Sequence, residues 1–322
     1  MALWAGIDEA GYGPPLGPLV VGCAAFELRD EPSAGIMWEL LSDAVCRSAR
    51  GSAGRLVIND SKEVYSPARG LKLLEDGVLG VVSGAMGRRC ELALDLLRLL
   101  GAAQEDTADH APWFAGAPQL GLPVASNPSA VESKAELLRS ALGRSGVRLM
   151  GVRAAVVLPA EYNRVVARTR NKSLLLFQRC GLLLQGLWRQ AGPGPAHVTV
   201  DRHGARMRYR RLLRDAFPQC QCDILGEESS CSAYRICGGD RALHVTFLEE
   251  ADRKTLPAAL ASMLAKYVRE LYMTAFNRYW GERVPELRPT AGYGRDAHRF
   301  LRDIAPVLKA EGVERKRLVR SR

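Results

Sequence analysis

The sequence predicts an α/β protein built around a central sheet, and three observations carry that prediction. Apolar runs of strand length alternate with stretches of helical spacing along the 322 residues. The two N-terminal runs, LWAGID (3–8) and LVVGCAAFEL (19–28), flank a Gly/Pro turn, as neighbouring strands of one sheet do. Three predicted strands also end on acids: Asp8 with Glu9, Asp201, and Asp252. Strand ends are where α/β sheets gather their ligands.

The elements follow in order. IMWELLSDAV (36–45) has helical spacing, and VINDSKEVYSPARGLKLLEDGVL (57–79) reads as a loop carrying DSK that leads into a short helix. Helices are expected near 88–100 and 130–143. Residues 101–130 between them are rich in Ala, Gly and Pro, and read as part of an inserted excursion over about 80–146. VRLMGVRAAVVL (147–158) is a buried strand. Pro159 to Gln190 is mostly helical, with Leu183, Leu184, Leu187 and Trp188 on one face. AHVTVD (196–201) is a short strand, and 234–252 holds further strands, the last closing on Asp252. A helix of about six turns follows from Thr255. The tail VERKRLVRSR is expected to be solvated and frayed.

Composition bounds the function. With 47% apolar and 25% charged residues the chain is of ordinary soluble, globular type. A formal charge of +10 favours polyanionic partners such as nucleic acid, without deciding for them. No apolar run approaches a membrane span, and MALWAGIDEAG lacks the basic start of a signal peptide. Eight scattered cysteines suit free thiols in a reducing cytoplasm. Cys220, Cys222, Cys231 and Cys237 lack the paired CxxC spacing of a zinc site, so zinc is disfavoured.

The acids carry the chemistry. Four carboxylates converging at strand ends would repel one another unless cations sat among them. Hard oxygen donors suit Mg²⁺ or Mn²⁺, and two such ions can activate a water and stabilise the leaving oxygen of a phosphodiester. Taken singly, each acid is more readily a solvated loop residue. Gly11-Tyr12-Gly13-Pro14-Pro15-Leu16-Gly17 has the wrong spacing for a dinucleotide loop, and its prolines remove backbone donors. It reads either as a turn that approaches a substrate closely or as a rigid hairpin connection.

GIDEAGYGPPLGPLVVG (6–22) resembles the opening motif of type 2 ribonuclease H, the ribonuclease HII family, whose DEAGRGP-like segment carries two catalytic acids. Asn59-Asp60-Ser61-Lys62 resembles that family's DSK motif, and HVTVD (197–201) its strand ending in a third acid. ASMLAK (261–266) followed by Arg269 resembles its AASILAKVTRD helix, with Asp252 fourteen residues before Lys266, at the place of the fourth acid. Gly292-Tyr293-Gly294, with His298 beyond, resembles its C-terminal GY(G/P)T..H segment. Residues near 30–55 and 80–146 have no counterpart.

The resemblance implies a ribonuclease H-like fold: a mixed five-stranded sheet flanked by helices, forming a catalytic domain over 1–270, then a helical region with a basic tail over 271–322. It implies that Asp8, Glu9, Asp201 and Asp252 hold two Mg²⁺ or Mn²⁺ ions. Water would attack phosphorus on the 5′ side of a ribonucleotide, leaving 3′-hydroxyl and 5′-phosphate. The substrate would be an RNA–DNA hybrid or duplex DNA with embedded ribonucleotides, met by a cytoplasmic, monomeric enzyme of DNA replication and repair. Gly11, Tyr12 and Gly13 would sense the ribose 2′-OH, the group that separates RNA from DNA. Tyr293 would stack at the junction, and Lys62, Ser262 and Lys266 would contact substrate. Ser262 and Lys266 share a helix face, which helix packing alone also explains.

The departure is Tyr12, where the family has arginine; a charged fork is lost there. Arg202, Arg206, Arg208, Arg210, Arg211 and Arg214 after Asp201 read equally as phosphate contacts or as a solvated basic face. His203 reads as loop surface, or as a tuner of proton transfer. Two rival functions remain: a hybrid-binding protein with weak or no cleavage, and a ribonuclease H-fold nuclease acting on branched DNA.

Overall fold

Two nearly all-apolar runs decide the centre of the molecule, because only a sheet covered on both faces can bury them. In the computed structural model, which describes residues 1–29, 33–104 and 107–321, they form β1 (Ala2–Ala10) and β2 (Leu19–Leu28), an antiparallel pair with Asp8 opposite Gly22. Short strands β3 (Val45–Cys46) and β4 (Leu56–Val57) pair apart from the main sheet. The sheet is completed by β5 (Arg148–Val157), β6 (Ala196–Asp201), β7 (Gln221–Glu227), β8 (Cys231–Gly238) and β9 (Arg241–Leu248).

Strand order is β5-β2-β1-β6-β9-β8-β7. β1–β6 and β6–β9 are parallel and the other pairs antiparallel. The five strands from β5 to β9 give the mixed, helix-flanked sheet expected; the β7–β8 hairpin extends it to seven. β7 was not foreseen because an edge strand need not bury alternate residues: Ile224 and Leu225 are exposed.

One face of the sheet packs on the long helix Leu256–Gly281, the other on Pro159–Thr169 and Lys172–Gln190. The long helix begins as its sequence dictates, with Thr255 as N-cap and Pro257 in the first turn. It lies close enough to β1 that a Cβ on Gly6 would fall 2.1 Å from the Ala258 nitrogen. That contact requires glycine, and it brings the helix's Ser262 beside the strand that carries Asp8.

Four expectations change. The helix foreseen over 36–45 stops at Leu40, and the chain then enters β3. The excursion is not loosely attached: Trp113 and Phe114 are fully buried, Trp113 stacked 6.1 Å from Trp280 and Phe114 5.7 Å from Phe276. Buried Glu75 receives the backbone N–H groups of Val124, Ala125 and Ser126 and the Tyr267 hydroxyl. Isolated anchors of this kind leave no periodic signal. Glu105 and Asp106 of that stretch lie outside the described residues. The long helix runs unbroken through residue 270, where a boundary was expected.

The tail is also ordered through Ser321. After the turn of helix Arg315–Leu318, Val319 bridges Leu16, and the Arg320 N–H donates to the Pro15 carbonyl at 2.9 Å. The Arg320 guanidinium is buried, donates to the Pro14 carbonyl and lies 4.8 Å over Tyr162. Burial, and then the nearby charge of Arg269, push its pKa down to about 9. Among the described residues, no helix is long and apolar enough to cross a membrane.

Candidate active site

Sheet register builds the acid cluster. Because β1 and β6 run parallel with Ile7 opposite Val200, Asp8 and Asp201 emerge side by side as both strands end. Glu9 follows directly, its N–H donating to Asp8 Oδ1 at 2.7 Å. One oxygen from each of Asp8, Glu9 and Asp201 lies within 4.8 Å of the others, and among the described residues this is the one group of three or more possible metal ligands so arranged. The Cys220–Cys237 region forms no such group there, and all eight cysteines are free thiols.

Asp252 reaches the same pocket by a different route from the one expected. β9 ends at Leu248, and Glu250, at φ 53°, turns the chain into the short helix Ala251–Lys254. Asp252 is thus on a helical turn rather than at a strand end. The Ala251 N–H donates to Asp201 Oδ1 at 3.0 Å, so one turn fixes both acids. Ser262 donates to Asp252 Oδ2 at 3.5 Å and meets Ser61 Oγ at 3.0 Å.

The electrostatics show what the cluster lacks. Burial first, then Asp201, Glu9 and Asp252, hold the Asp8 carboxyl well above its ordinary range. Burial and Asp201 push Glu9 up to about 8, while burial, Asp60 and Asp201 push Asp252 to about 7. Asp201 is also raised, chiefly by burial. Lys62 answers them: burial pulls its pKa down, but Asp60, Asp252, Asp8 and Asp201 together raise it. A single ammonium cannot neutralise this many carboxylates. Hard, half-dry, mutually repelling oxygens are the donor set that divalent cations fit.

The pocket, of about 540 Å³, is lined by ten of the eleven sequence-predicted residues: Asp8, Glu9, Gly11, Tyr12, Gly13, Lys62, Asp201, Asp252, Ser262 and Tyr293. Lys266 is the exception. It lies behind the pocket wall, paired with Glu270 and 5.9 Å from the Tyr293 ring centre. Its place is beneath the rings of Tyr65 and Tyr293, supporting rather than lining. His203 is not loop surface: it is buried among Phe177, Tyr209 and Phe247, and burial drives its pKa down to about 3, which keeps it neutral.

Two residues were missed. Asp60 is a buried acid on the pocket wall, as Asp8 and Asp252 are; it caps the helix Ser61–Val64 through the Lys62 N–H at 2.9 Å and pairs with Arg253 at 3.2 Å. Its place in the DSK stretch was the available signal. Arg269 is wholly buried, donating to the carbonyls of Pro18 at 2.7 Å, Leu16 at 3.0 Å and Ala291 at 3.1 Å. It thereby ties the Gly11–Pro18 turn to the loop bearing Tyr293, whose half-exposed ring lies 5.3 Å away. Gly11, at φ 85°, has no room for a Cβ, which would sit 2.6 Å from the Pro18 carbonyl oxygen and 3.0 Å from Arg269.

No family model matches the chain, and no curated protein does. Among solved structures it is similar to type 2 ribonucleases H. Ribonuclease HII of Archaeoglobus fulgidus, solved with PCNA, is 18% identical over 99% of this chain and 94% of that one, with a TM-score of 0.46. Ribonuclease H2 of Pyrococcus horikoshii OT3 is 17% identical over 98% and 92%, with a TM-score of 0.48. Bst ribonuclease HIII, solved with Mn²⁺, is 17% identical over 99% of this chain and 66% of that one, with a TM-score of 0.43.

Proposed function

We propose that the protein is a metal-dependent endoribonuclease that cuts RNA in RNA–DNA hybrids, or at ribonucleotides embedded in duplex DNA, leaving 3′-hydroxyl and 5′-phosphate ends. One observation carries this reading: four acids from three separate chain segments meet in a pocket that Gly11-Tyr12-Gly13 and Tyr293 also line. The first set is suited to phosphodiester hydrolysis and the second to feeling a sugar.

Asp8, Glu9, Asp201 and Asp252 would hold two divalent cations, Mg²⁺ or Mn²⁺. When bound, these would supply charge neutralisation, an activated water and stabilisation of the leaving oxygen. The chain's own groups do the rest. Gly11 and Gly13 present backbone with no side chain in the way, close enough for a 2′-hydroxyl to be read. The exposed Tyr293 ring offers a stacking face, and its orientation is set by Arg269 beneath it. Lys62 lies near all four acids and balances charge as substrate phosphate enters. Ser262 of the long helix holds Asp252 and is itself tied to Ser61 of the DSK turn. The eight free thiols support work in a reducing cytoplasm.

The test uses three substrates in Mg²⁺ or Mn²⁺: a uniform RNA–DNA hybrid, a DNA duplex with one ribonucleotide, and a branched all-DNA junction. Metal-dependent cutting on the 5′ side of ribose is expected in the first two. No cut in either, or cutting of the junction alone, overturns the proposal.

A further inference from the structure

The basic run after Asp201 divides once its contacts are traced. Arg202 is already committed, donating to the Ser229 carbonyl and pairing with Glu249 at 3.0 Å. Arg206 turns the other way: its Nε donates to Ser173 Oγ at 3.0 Å, beside the Tyr12 phenol. Lys172 Nζ lies 4.8 Å from the Tyr12 ring centre, a cation–π distance. Among the described residues, neither Lys172 nor Arg206 has a carboxylate within ion-pair distance. Tyr12 therefore carries no charge itself but sits between two uncommitted cations.

Three depressions adjoin from there. The acid pocket shares Tyr12 and Gly204 with a second, of about 610 Å³, lined also by Ser173 and Arg206. The second shares Arg208 with a third, of about 860 Å³, lined by Arg210, Arg211 and Arg214 of the helix Arg210–Ala216. Two acids line the third as well. Glu227 is engaged by the Tyr234 hydroxyl at 2.5 Å and lies 3.9 Å from Arg208, which leaves Asp215 against the remaining guanidinium groups.

We propose that this path is a phosphate-backbone track, along which one strand of the nucleic acid leaves the acid pocket past Tyr12 and runs over Arg206 and Arg208 to Arg210–Arg214. Six cations with two acids among them, Asp215 and Glu227, along a row of depressions that share lining residues with the acid pocket, suit a repeating polyanion rather than a small ligand. The charge missing from the side chain at position 12 is supplied beside it, by Lys172 and Arg206. The track rests on the reading that a nucleic acid strand enters the acid pocket, and it adds where that strand goes.

The test is equilibrium binding of labelled RNA–DNA hybrids by fluorescence anisotropy in EDTA, where no cutting occurs, over a salt series. Lys172→Gln with Arg206→Gln should bind roughly tenfold more weakly at low salt and lower the salt slope by about two; Arg210→Gln, Arg211→Gln and Arg214→Gln together should lower it by up to about three. A duplex too short to extend beyond Tyr12 should feel the first set but not the second. Unchanged slopes in both sets, or equal losses on short and long duplexes from the second set, overturn the track. Changed slopes in a wild-type protein that cuts nothing would uphold it while sinking the nuclease reading. Cutting with unchanged slopes would do the reverse.

Discussion

The acid cluster and the turn that faces it are positioned by opposite means. Asp8, Glu9 and Asp201 stand where they do because two strands run parallel in fixed register, so hydrogen bonds of the sheet itself place them. The Gly11–Pro18 turn belongs to no sheet. It is held by buried cations from far along the chain, Arg269 and Arg320, which donate to its carbonyls. The first arrangement is rigid but electrostatically costly. The second leaves Arg269 Nε and Arg320 Nε and Nη1 buried without a partner, and it depends on two side chains as well as on backbone contacts to Gly292, Val319 and Arg320. Chemistry and recognition can therefore be damaged separately.

Asp201→Asn strikes the first region hardest. It should lower metal-dependent cleavage by a factor on the order of 10³ or more, as loss of a transition-state group does, while raising the melting temperature of the metal-free protein by relieving repulsion. Single-turnover rates and a thermal scan check both; a variant that still cuts at the wild-type rate breaks the assignment.

Arg269→Ala strikes the second. Three buried carbonyls lose their donor, which should cost on the order of 3 kcal/mol in denaturant unfolding. Arg269→Lys keeps the charge but cannot span carbonyls of both loops, so it should fold better yet bind hybrid more weakly, while metal titration by calorimetry stays as in wild type. Loss of metal binding in the lysine variant would show that the two regions are not separable.

The pH dependence sharpens the contrast. Glu9 at about 8 and Asp252 at about 7 are raised above their ordinary values near 4, so their contribution is complete at low pH and is lost as pH climbs through those values. The metal-free protein should melt progressively lower from about pH 5 to pH 8, and Mg²⁺ or Mn²⁺ should restore the loss at pH 8. A flat metal-free profile would refute the repulsion.

The smallest effect is expected at Tyr12→Arg: tighter hybrid binding and sharper preference for a ribonucleotide junction. Because Lys172 and Arg206 already flank that position, the gain should be at most a few-fold. No change in either property would show that the side chain at 12 is immaterial.

The sequence revealed the first region better than the second, for a physical reason. Acids at the ends of apolar runs announce themselves, and AHVTVD coincides with β6 residue for residue. Asp252 was found but given the wrong element, because a single left-handed residue, Glu250, breaks the strand before the acid. The second region rests on partners far apart in the chain, and no local pattern says that Arg269 is buried or that Arg320 has a carbonyl waiting. Trp113 and Phe114 escaped for the same reason: two anchors in a stretch of small residues have no period.

Arg320 and the Pro14 carbonyl it grips are 306 positions apart in the chain. A ribosome works from one end, so the strands bearing Asp8 and Asp201 emerge and can pair before the residue that clamps the turn has been made. Closing so long a loop comes late and draws on structure already in place. A nascent chain halted before residue 315 would thus carry its acids in register, and Arg269 on the turn beside them, while the second clamp, Arg320, was still missing. In the order of synthesis, the acid cluster precedes the full fastening of the turn.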